Sequence, residues 1–573
     1  ALSNKIRTVL DLAGRPTKMI NAEGATTQWT RDSNGWVTGY TDALDRHTTL
    51  TRDSDGYVTQ IDHHDGESET FTFQAGFHAM TSHTDANGYT TSYGYDATYG
   101  HLLTVEDALN NITTRTYSSG LLHTVEDALN RVTTLTHDAN RRISSVENAN
   151  GDLSTTTYDT HGNVATTVDE ENRTTTYQND ALGRVTKMTD AEGGIWSTTY
   201  NGAGLQTESI DAEGTKTQNT FNSRGAISKV LQAVGTSVQH SLLSSFDGLG
   251  RATSNRDANG IWTSVELDKI GRVIRTVDAE GGVDRSFYNL AGEQTKLADK
   301  LGNITENVFN LRGWLTKTID PDGNVATTSY DKVGNVTETI NVLGQKTQIT
   351  LDKLYRRTVL KEAVGTSDAR TSTTTYDAVG NVTKETNALS IDTEFEYDDL
   401  NRLTKVTEAK STSDERIRTM AYDKVGNQTS MTDWRGFVTN TTFDKLNRST
   451  VMIQAVGETE ETTTTTVYDN VGNVTQSIDA NGNKTDFTYD DLHRQISTTE
   501  AVGESEARTS SSILDAAGNV VASVDGLGYA SLFGLDRNYR SIASFDPLGA
   551  FTRNFHDAVG NVIASVDANG NRS

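Results

Sequence analysis

Cysteine is absent from the 573 residues, which excludes disulfides, thiol catalysis and cysteine metal sites. Proline is nearly absent: only Pro16, Pro321 and Pro547 occur, so little interrupts a hydrogen-bonded ladder. No run of eighteen apolar residues appears, which excludes a membrane-spanning helix. Positive charge is in deficit, with 51 Lys and Arg against 77 Asp and Glu and a net charge of −26. Phosphate backbones and anionic membranes are therefore disfavoured as partners. P-loop, His-Glu-x-x-His and Gly-x-Ser-x-Gly motifs are also missing. What is present is Thr throughout, including Thr462 to Thr466 in a row, with Val, Tyr, Phe, Ile and Trp recurring along the whole chain. These residues favour strands and are too frequent for a disordered segment.

Two glycine-centred turns alternate along the chain. The first, here the anchor turn, has the form Tyr-Asp-x-x-Gly-Asn. Its clearest copies are Tyr330-Asp331 with Gly334-Asn335, Tyr376-Asp377 with Gly380-Asn381, Tyr422-Asp423 with Gly426, and Tyr468-Asp469 with Gly472. Anchor glycines step by 21 residues from Gly162 to Gly225, by 25 to Gly250, and by 21 again to Gly334. Counting outward to Gly14 and Gly560 gives 26 anchors, with residues 1–120 less regular because Gly56, Gly76 and Gly100 are displaced by one or two positions. The second, here the mid turn, has the form Asp-Ala-x-Gly, as in Asp190 to Gly193 and Asp479 to Gly482. Two turns per 21 residues leave two strands of six or seven residues, the pattern of consecutive hairpins. Glycine supplies the positive φ of a tight turn, and Asp or Asn ahead of it bonds the turn backbone.

Between turns the side chains alternate. Val474, Gln476 and Ile478 share one face and Thr475 and Ser477 the other, while Thr485, Phe487 and Tyr489 share a face on the return strand. Such a sheet has no thick core, so its stability must come from pairing between neighbours. Residues 334–560 follow a 46-residue double repeat. The anchor slot there holds Gly334, Tyr355, Gly380, Asn401, Gly426, Asn447, Gly472, His493, Gly518 and Tyr539. Asn and His tolerate left-handed backbone; Tyr does not, so the turns at Tyr355 and Tyr539 are expected to be of another type. The longer loops that open at Glu362, Glu408, Gln454 and Glu500 recur every four strands, about 19 Å apart.

The Tyr-Asp-x-x-Gly anchor at a period near 21 resembles the YD repeat of the RHS family over essentially the whole chain. That resemblance implies an all-β fold of tandem antiparallel hairpins, forming a long sheet strip that coils into a spiral tube or shell. Residues 1–573 then form a single continuous array. Residue 1 is Ala, and both ends lie in repeat register, so the chain reads as a fragment of a longer one. Shell-type members of the family carry paired Asp-Pro-x-Gly motifs in a core that cleaves off a toxin cargo. Only Asp546 to Gly549 matches here, in an ordinary mid-turn slot.

Candidate chemistry is sparse. No catalytic or metal-binding residue is expected, because a repeat offers one environment many times and a catalytic pair needs a singular one. His63 and His64, as strand neighbours, face opposite ways. The oxygen clusters at 53–56, 320–324 and 479–483 could take calcium but lack a distal bidentate Glu, so the expectation is no cofactor. Asn-x-Ser/Thr sequons at Asn335, Asn381, Asn473 and Asn483 arise from the repeat itself. The recurring Tyr slot is expected to form a stacked aromatic ladder, with an exposed sugar-binding platform as its rival. The expected function is a non-enzymatic extracellular or cell-surface structural protein, a secreted bacterial filament or scaffold. The alternatives are a shell enclosing a toxin cargo and an adhesin or glycan-binding module. The expected partners are further copies or repeats of the same chain, with a glycan or cell-surface partner as the other candidate. Nucleic acid and membrane insertion are not expected.

Overall fold

The structure, a computed structural model, describes residues 5–573. Fifty-two strands, β1 (Arg7–Leu10) to β52 (Val562–Val566), form one sheet, and there is no helix among the described residues. Each strand pairs antiparallel with the strands before and after it in the chain, as Leu153–Tyr158 does with Ile143–Glu147 and Val164–Val168. The 26 hairpins read from the turn spacing are all present.

Both kinds of turn close in the same way. In the turn at Asp159 the Gly162 amide donates to the Asp159 carbonyl at 3.1 Å, and the Asp159 amide donates to the Asn163 carbonyl at 2.8 Å. In the turn at Asp169 the corresponding bonds are Asn172 to Asp169, 2.9 Å, and Asp169 to Arg173, 3.1 Å. This is a three-residue hairpin loop, a tight turn followed by one residue in left-handed conformation. The edges differ beyond the turn. Pairings across anchor turns slip by one residue next to the signature aromatic, as between Thr157 and Tyr158 or Val467 and Tyr468. Pairings across mid turns, such as Val168 with Thr174, do not slip. A bulge repeated on one edge of a strip bends every hairpin the same way and adds to the twist. A strip built so must coil.

The coil is hollow. No strand packs face to face on a non-neighbouring strand among the described residues. The buried apolar side chains reduce to a handful, chiefly Ala233, Val406, Ala522 and Ala564. The accessible surface is 31855 Å², whereas a compact monomer of this mass exposes about 20,000 Å². Neighbour-to-neighbour pairing therefore carries the stability, as the alternating pattern requires.

Two expectations change, and one holds. Tyr355 and Tyr539 do not mark a different turn: their φ values are 64° and 62°, in line with Asn401, Asn447 and His493 in the same slot. In the irregular N-terminal quarter Gly76 is not the left-handed residue; His78 is, at φ 52°, because that turn carries one extra residue and closes from His78 to Gln74. Asp546 to Gly549 forms the ordinary mid turn, Gly549 donating to Asp546 at 3.0 Å.

Candidate functional site: the turn edges and the seam

The anchor unit is built on its Asp. In the copy at Tyr376, Asp377 Oδ1 accepts the amides of Val379, Gly380 and Asn381, and Asn381 Nδ2 donates to Asp377 Oδ2 at 2.8 Å. The same closure holds Asn335 on Asp331 at 3.0 Å, Asn427 on Asp423 at 2.7 Å and Asn473 on Asp469 at 2.7 Å. The side-chain amide of Asn163 is the main reason the Asp159 carboxyl is lowered to about 2. Asn324, Asn483, Asn561 and Asn571 likewise lower Asp320, Asp479, Asp557 and Asp567. The sequon asparagines are thus engaged within their turns. Among the described residues, no three His, Asp or Glu side chains gather as metal ligands.

The signature Tyr does not stack on the next Tyr; this corrects the expected ladder. Tyr376 Oη donates to the Arg357 carbonyl of the preceding repeat at 2.9 Å, and the Arg356 guanidinium lies 4.5 Å from the centre of its ring. Arg356 Nε holds Asp352 at 2.7 Å, and its Nη1 reaches the Asp377 carbonyl at 3.2 Å. One arginine therefore ties its own turn to the next. Tyr422 on Leu403 with Arg402, and Tyr468 on Ser449 with Arg448, repeat the arrangement. Tyr330 bonds Leu315 at 2.7 Å, and there Trp314 takes the place of Arg. Bulky tyrosines with a bonded hydroxyl and a ring under a cation are not free platforms. The readable signal for this arrangement was the residue after the left-handed position, which alternates Asn and Arg through the double repeat.

Successive turns of the coil meet along a seam, mid turns of one against anchor turns of the next. Partners lie 244 to 282 residues apart. This offset corresponds to twelve or thirteen hairpins along the seam, from Glu23 with Lys269 to Glu280 with Arg537. Two devices hold it. First, the third residue of a mid turn accepts an anchor-turn backbone amide. Glu171 takes Lys424, Glu192 takes Lys445, Glu213 takes Asn470 and Glu280 takes Arg537, at 2.7 to 3.1 Å. Second, the non-glycine left-handed residues reach across. Tyr355 Oη bonds Asp85, Arg173 donates to Asn447, His493 Nε2 meets Asp211 at 2.7 Å, and Tyr539 Oη donates to Asp257 at 2.5 Å. Ion pairs Arg46–Glu293 and Arg312–Asp65, 2.7 and 2.6 Å, strengthen the first stretch. Burial, and then the Asp257 bond, push the Tyr539 phenol up to about 12; burial and Asp85 raise Tyr355 too.

The fold and its turns define a class: a structural repeat protein of tandem β-hairpins. The RHS Repeat family model matches residues 11–47, 158–195, 180–216, 309–347, 376–413 and 468–505. The chain carries RHS repeats. By sequence, no curated protein matches it. Among solved structures it is similar to TcdB2-TccC3, at 14% identity and TM-score 0.74, over 98% of this chain and 37% of that one. It is also similar to the Photorhabdus luminescens Tc holotoxin pore carrying a TccC3 mutation, at 14% identity and TM-score 0.65, over 98% and 38%. The chain thus spans under two fifths of the chains it resembles, and the likeness establishes the fold: an all-β repeat sheet.

Proposed function

We propose that this array is the wall of a hollow RHS-type shell, a structural container for a polypeptide cargo in a secreted or cell-surface protein. The observation that carries the reading is the seam. It joins mid turns of the first coil to anchor turns one coil later, so the strip becomes a continuous wall with an inside and an outside. About 25 strands per coil, at about 4.8 Å each, give a perimeter of about 120 Å and a round diameter of about 38 Å. Once the sheet's own thickness, about 10 Å, is subtracted, the remaining width accommodates an extended chain or a small helical segment. One of the solved structures it resembles is a Tc holotoxin pore, which supports a protein partner. Half-buried, hydrogen-bonded Tyr and Asp side chains repeated along the edges support scaffolding over catalysis.

A second reading, an open filament or surface scaffold, draws on the constancy of the seam offset. A constant rotation and rise builds a helix of indefinite length as readily as a closed body. Cryo-electron microscopy of the native full-length protein separates the two. Discrete capsules with density for a second polypeptide, and a protease-protected cargo, are expected. Empty tubes of unlimited length would overturn the container reading in favour of the filament.

A further inference from the structure

A binding site in a repeat should lie where the repeat is broken, and one place breaks it three ways at once. The anchor turn at Asp96 is one residue longer than its regular counterparts: Gly100 donates to Asp96 at 3.2 Å and Asp96 to His101 at 3.0 Å. The longer turn presents Tyr99, 73% exposed, at its tip. The residue after the turn is His101. Its ring stacks on Tyr99 at 5.6 Å on one side and on the signature Tyr117 at 4.4 Å on the other. Two residues before that tyrosine stands Arg115, a slot that holds Thr156, Thr198, Thr328, Thr374 and Thr466 ahead of Tyr158, Tyr200, Tyr330, Tyr376 and Tyr468. These side chains, with Leu103, line a cavity of about 640 Å³.

The hydrogen-bonding balance of this cavity selects its ligand. Asp96 is already satisfied: Oδ1 accepts Thr98 and Tyr99, and Oδ2 accepts His101. Tyr117 Oη is spent on the Leu102 carbonyl. Arg115 Nη1 is buried with no partner, in a chain whose net charge is −26 and where carboxylates are plentiful. An unpaired buried guanidinium nitrogen is costly and is relieved by an incoming acceptor. The site therefore sets an unpaired guanidinium donor beside an exposed aromatic face, with its carboxylate, Asp96, already engaged by three amides. A ring that carries a carboxylate uses both features, whereas a neutral sugar leaves the guanidinium charge unmatched.

We propose that the cavity around Arg115 binds an acidic sugar of the sialic or uronic type, its ring against Tyr99 and its carboxylate on the Arg115 guanidinium. The site is independent of whether the array forms a shell or a filament. Isothermal titration of the full chain tests it with 3′-sialyllactose, a glucuronate-containing disaccharide, lactose and benzoate. At least one of the two acidic sugars is expected to bind about tenfold or more tighter than lactose, since the charge-assisted bond is worth at least that factor. Arg115→Met, which keeps the stem, is expected to erase the preference, and Tyr99→Ala to weaken both sugars alike, each with an unchanged strand signal in circular dichroism. Lactose binding as tightly as the acidic sugars, or an Arg115→Met chain that keeps the preference, would overturn the proposal. So would benzoate matching the acidic sugars, which would make this a site for aromatic acids. Absence of binding by all four probes would overturn it as well.

Discussion

The anchor edge of the first coil and the anchor edge of the second are made of the same turn, yet they are built from different left-handed residues. In the first coil, where this edge is outside the seam, the slot is glycine from Gly162 to Gly250, with φ between 78° and 94°. In the second coil, where the edge meets the mid turns of the first, glycine holds the slot from Gly271 to Gly334 and then alternates with Tyr355, Asn401, Asn447, His493 and Tyr539. The backbone alternates with it: about 98° to 103° at Gly334, Gly380, Gly426, Gly472 and Gly518, but 60° to 64° at the five others. Left-handed backbone costs a non-glycine residue roughly 1–2 kcal/mol. Tyr355, His493 and Tyr539 meet that cost where their side chains bond across the seam to Asp85, Asp211 and Asp257. The alternation is thus a division of labour: glycine positions close turns, and the others also close the wall.

The largest effects should come from exchanging the two kinds of slot. Gly472→Val meets no atom within 4 Å of its new Cβ, so steric crowding by neighbours is not the issue. Its φ of 101° lies outside the left-handed well, and the expected destabilisation is roughly 1–3 kcal/mol, read by denaturant titration. Tyr376→Ala removes a half-buried ring, one hydrogen bond and one cation contact. We expect about 2 kcal/mol, below the ~3–5 kcal/mol of a fully buried aromatic. Hydrogen exchange should rise in the adjoining hairpins and stay unchanged in distant ones, because coupling is nearest-neighbour. A silent Tyr376→Ala would return the ring to solvent and revive the platform reading.

Tyr539 separates turn from seam. Tyr539→Phe keeps the turn and loses the bonds to Asp257 and Asn259, costing roughly 1 kcal/mol locally. Tyr539→Gly loses them too but relieves the backbone. Both should speed amide exchange at 257–260; only the first should leave the 536–540 turn strained. If neither variant changes exchange at 257–260, the seam contact is not holding the coils together.

Acid and alkali should act in different ways. Asp159, Asp320, Asp479, Asp557 and Asp567 have lowered pKa values, so their contribution is complete above the unfolded value near 4 and is lost as pH falls, for Asp159 through about 2. The seam tyrosines have raised values. Their contribution is complete below the unfolded value near 10 and is lost as pH rises, for Tyr539 through about 12. Acid should therefore loosen the hairpins that these aspartates close and, through seam carboxylates such as Asp65, the seam as well, while alkali should part the coils with the hairpins intact. Small-angle scattering paired with circular dichroism distinguishes the outcomes; loss of strand signal and expansion together at pH 11 would contradict the division.

The hairpins were legible because turn chemistry is local: Asp, two residues and glycine lie within four positions, and alternation reveals the strands between them. The anchor at Gly76 was misplaced for the same reason, since a glycine within two residues of His78 satisfied the spacing while the extra residue moved the left-handed position. The partner of each signature Tyr was not legible. Its carbonyl lies 15 or 19 residues back, and the arginine above it follows a different turn. The seam was further out of reach. Its offset depends on the accumulated bend of some twelve bulges, a quantity no local pattern carries. Its one trace in the sequence was the tyrosine at a left-handed slot, which reads as an anomaly until the residue opposite is known.

The smallest effect concerns the tips of the mid turns. Within the seam the third position holds Glu171, Glu192, Glu213 and Glu280, each accepting an anchor amide, and also Leu44, Leu109 and Leu129, the first and last of them only 40% and 39% exposed. Beyond the seam the same position holds Leu301, Leu343, Leu389, Leu527 and Leu548, 51 to 91% exposed. Local turn energetics cannot distinguish the two sets, since the aspartate bonds are alike: Oδ1 of Asp190 accepts the Glu192 amide at 3.0 Å, and Oδ1 of Asn341 accepts that of Leu343 at 3.0 Å. What differs is the surface the tip meets. Glu213→Leu should therefore unpair the Asn470 amide and cost about 1 kcal/mol of seam. Leu343→Glu should change stability by less than about 0.5 kcal/mol in this chain, because an exposed tip without a partner has no interaction to lose. A destabilisation by Leu343→Glu comparable to that of Glu213→Leu, measured in the same denaturant titration, would mean that the second edge is covered as well, and that the leucines are its seam.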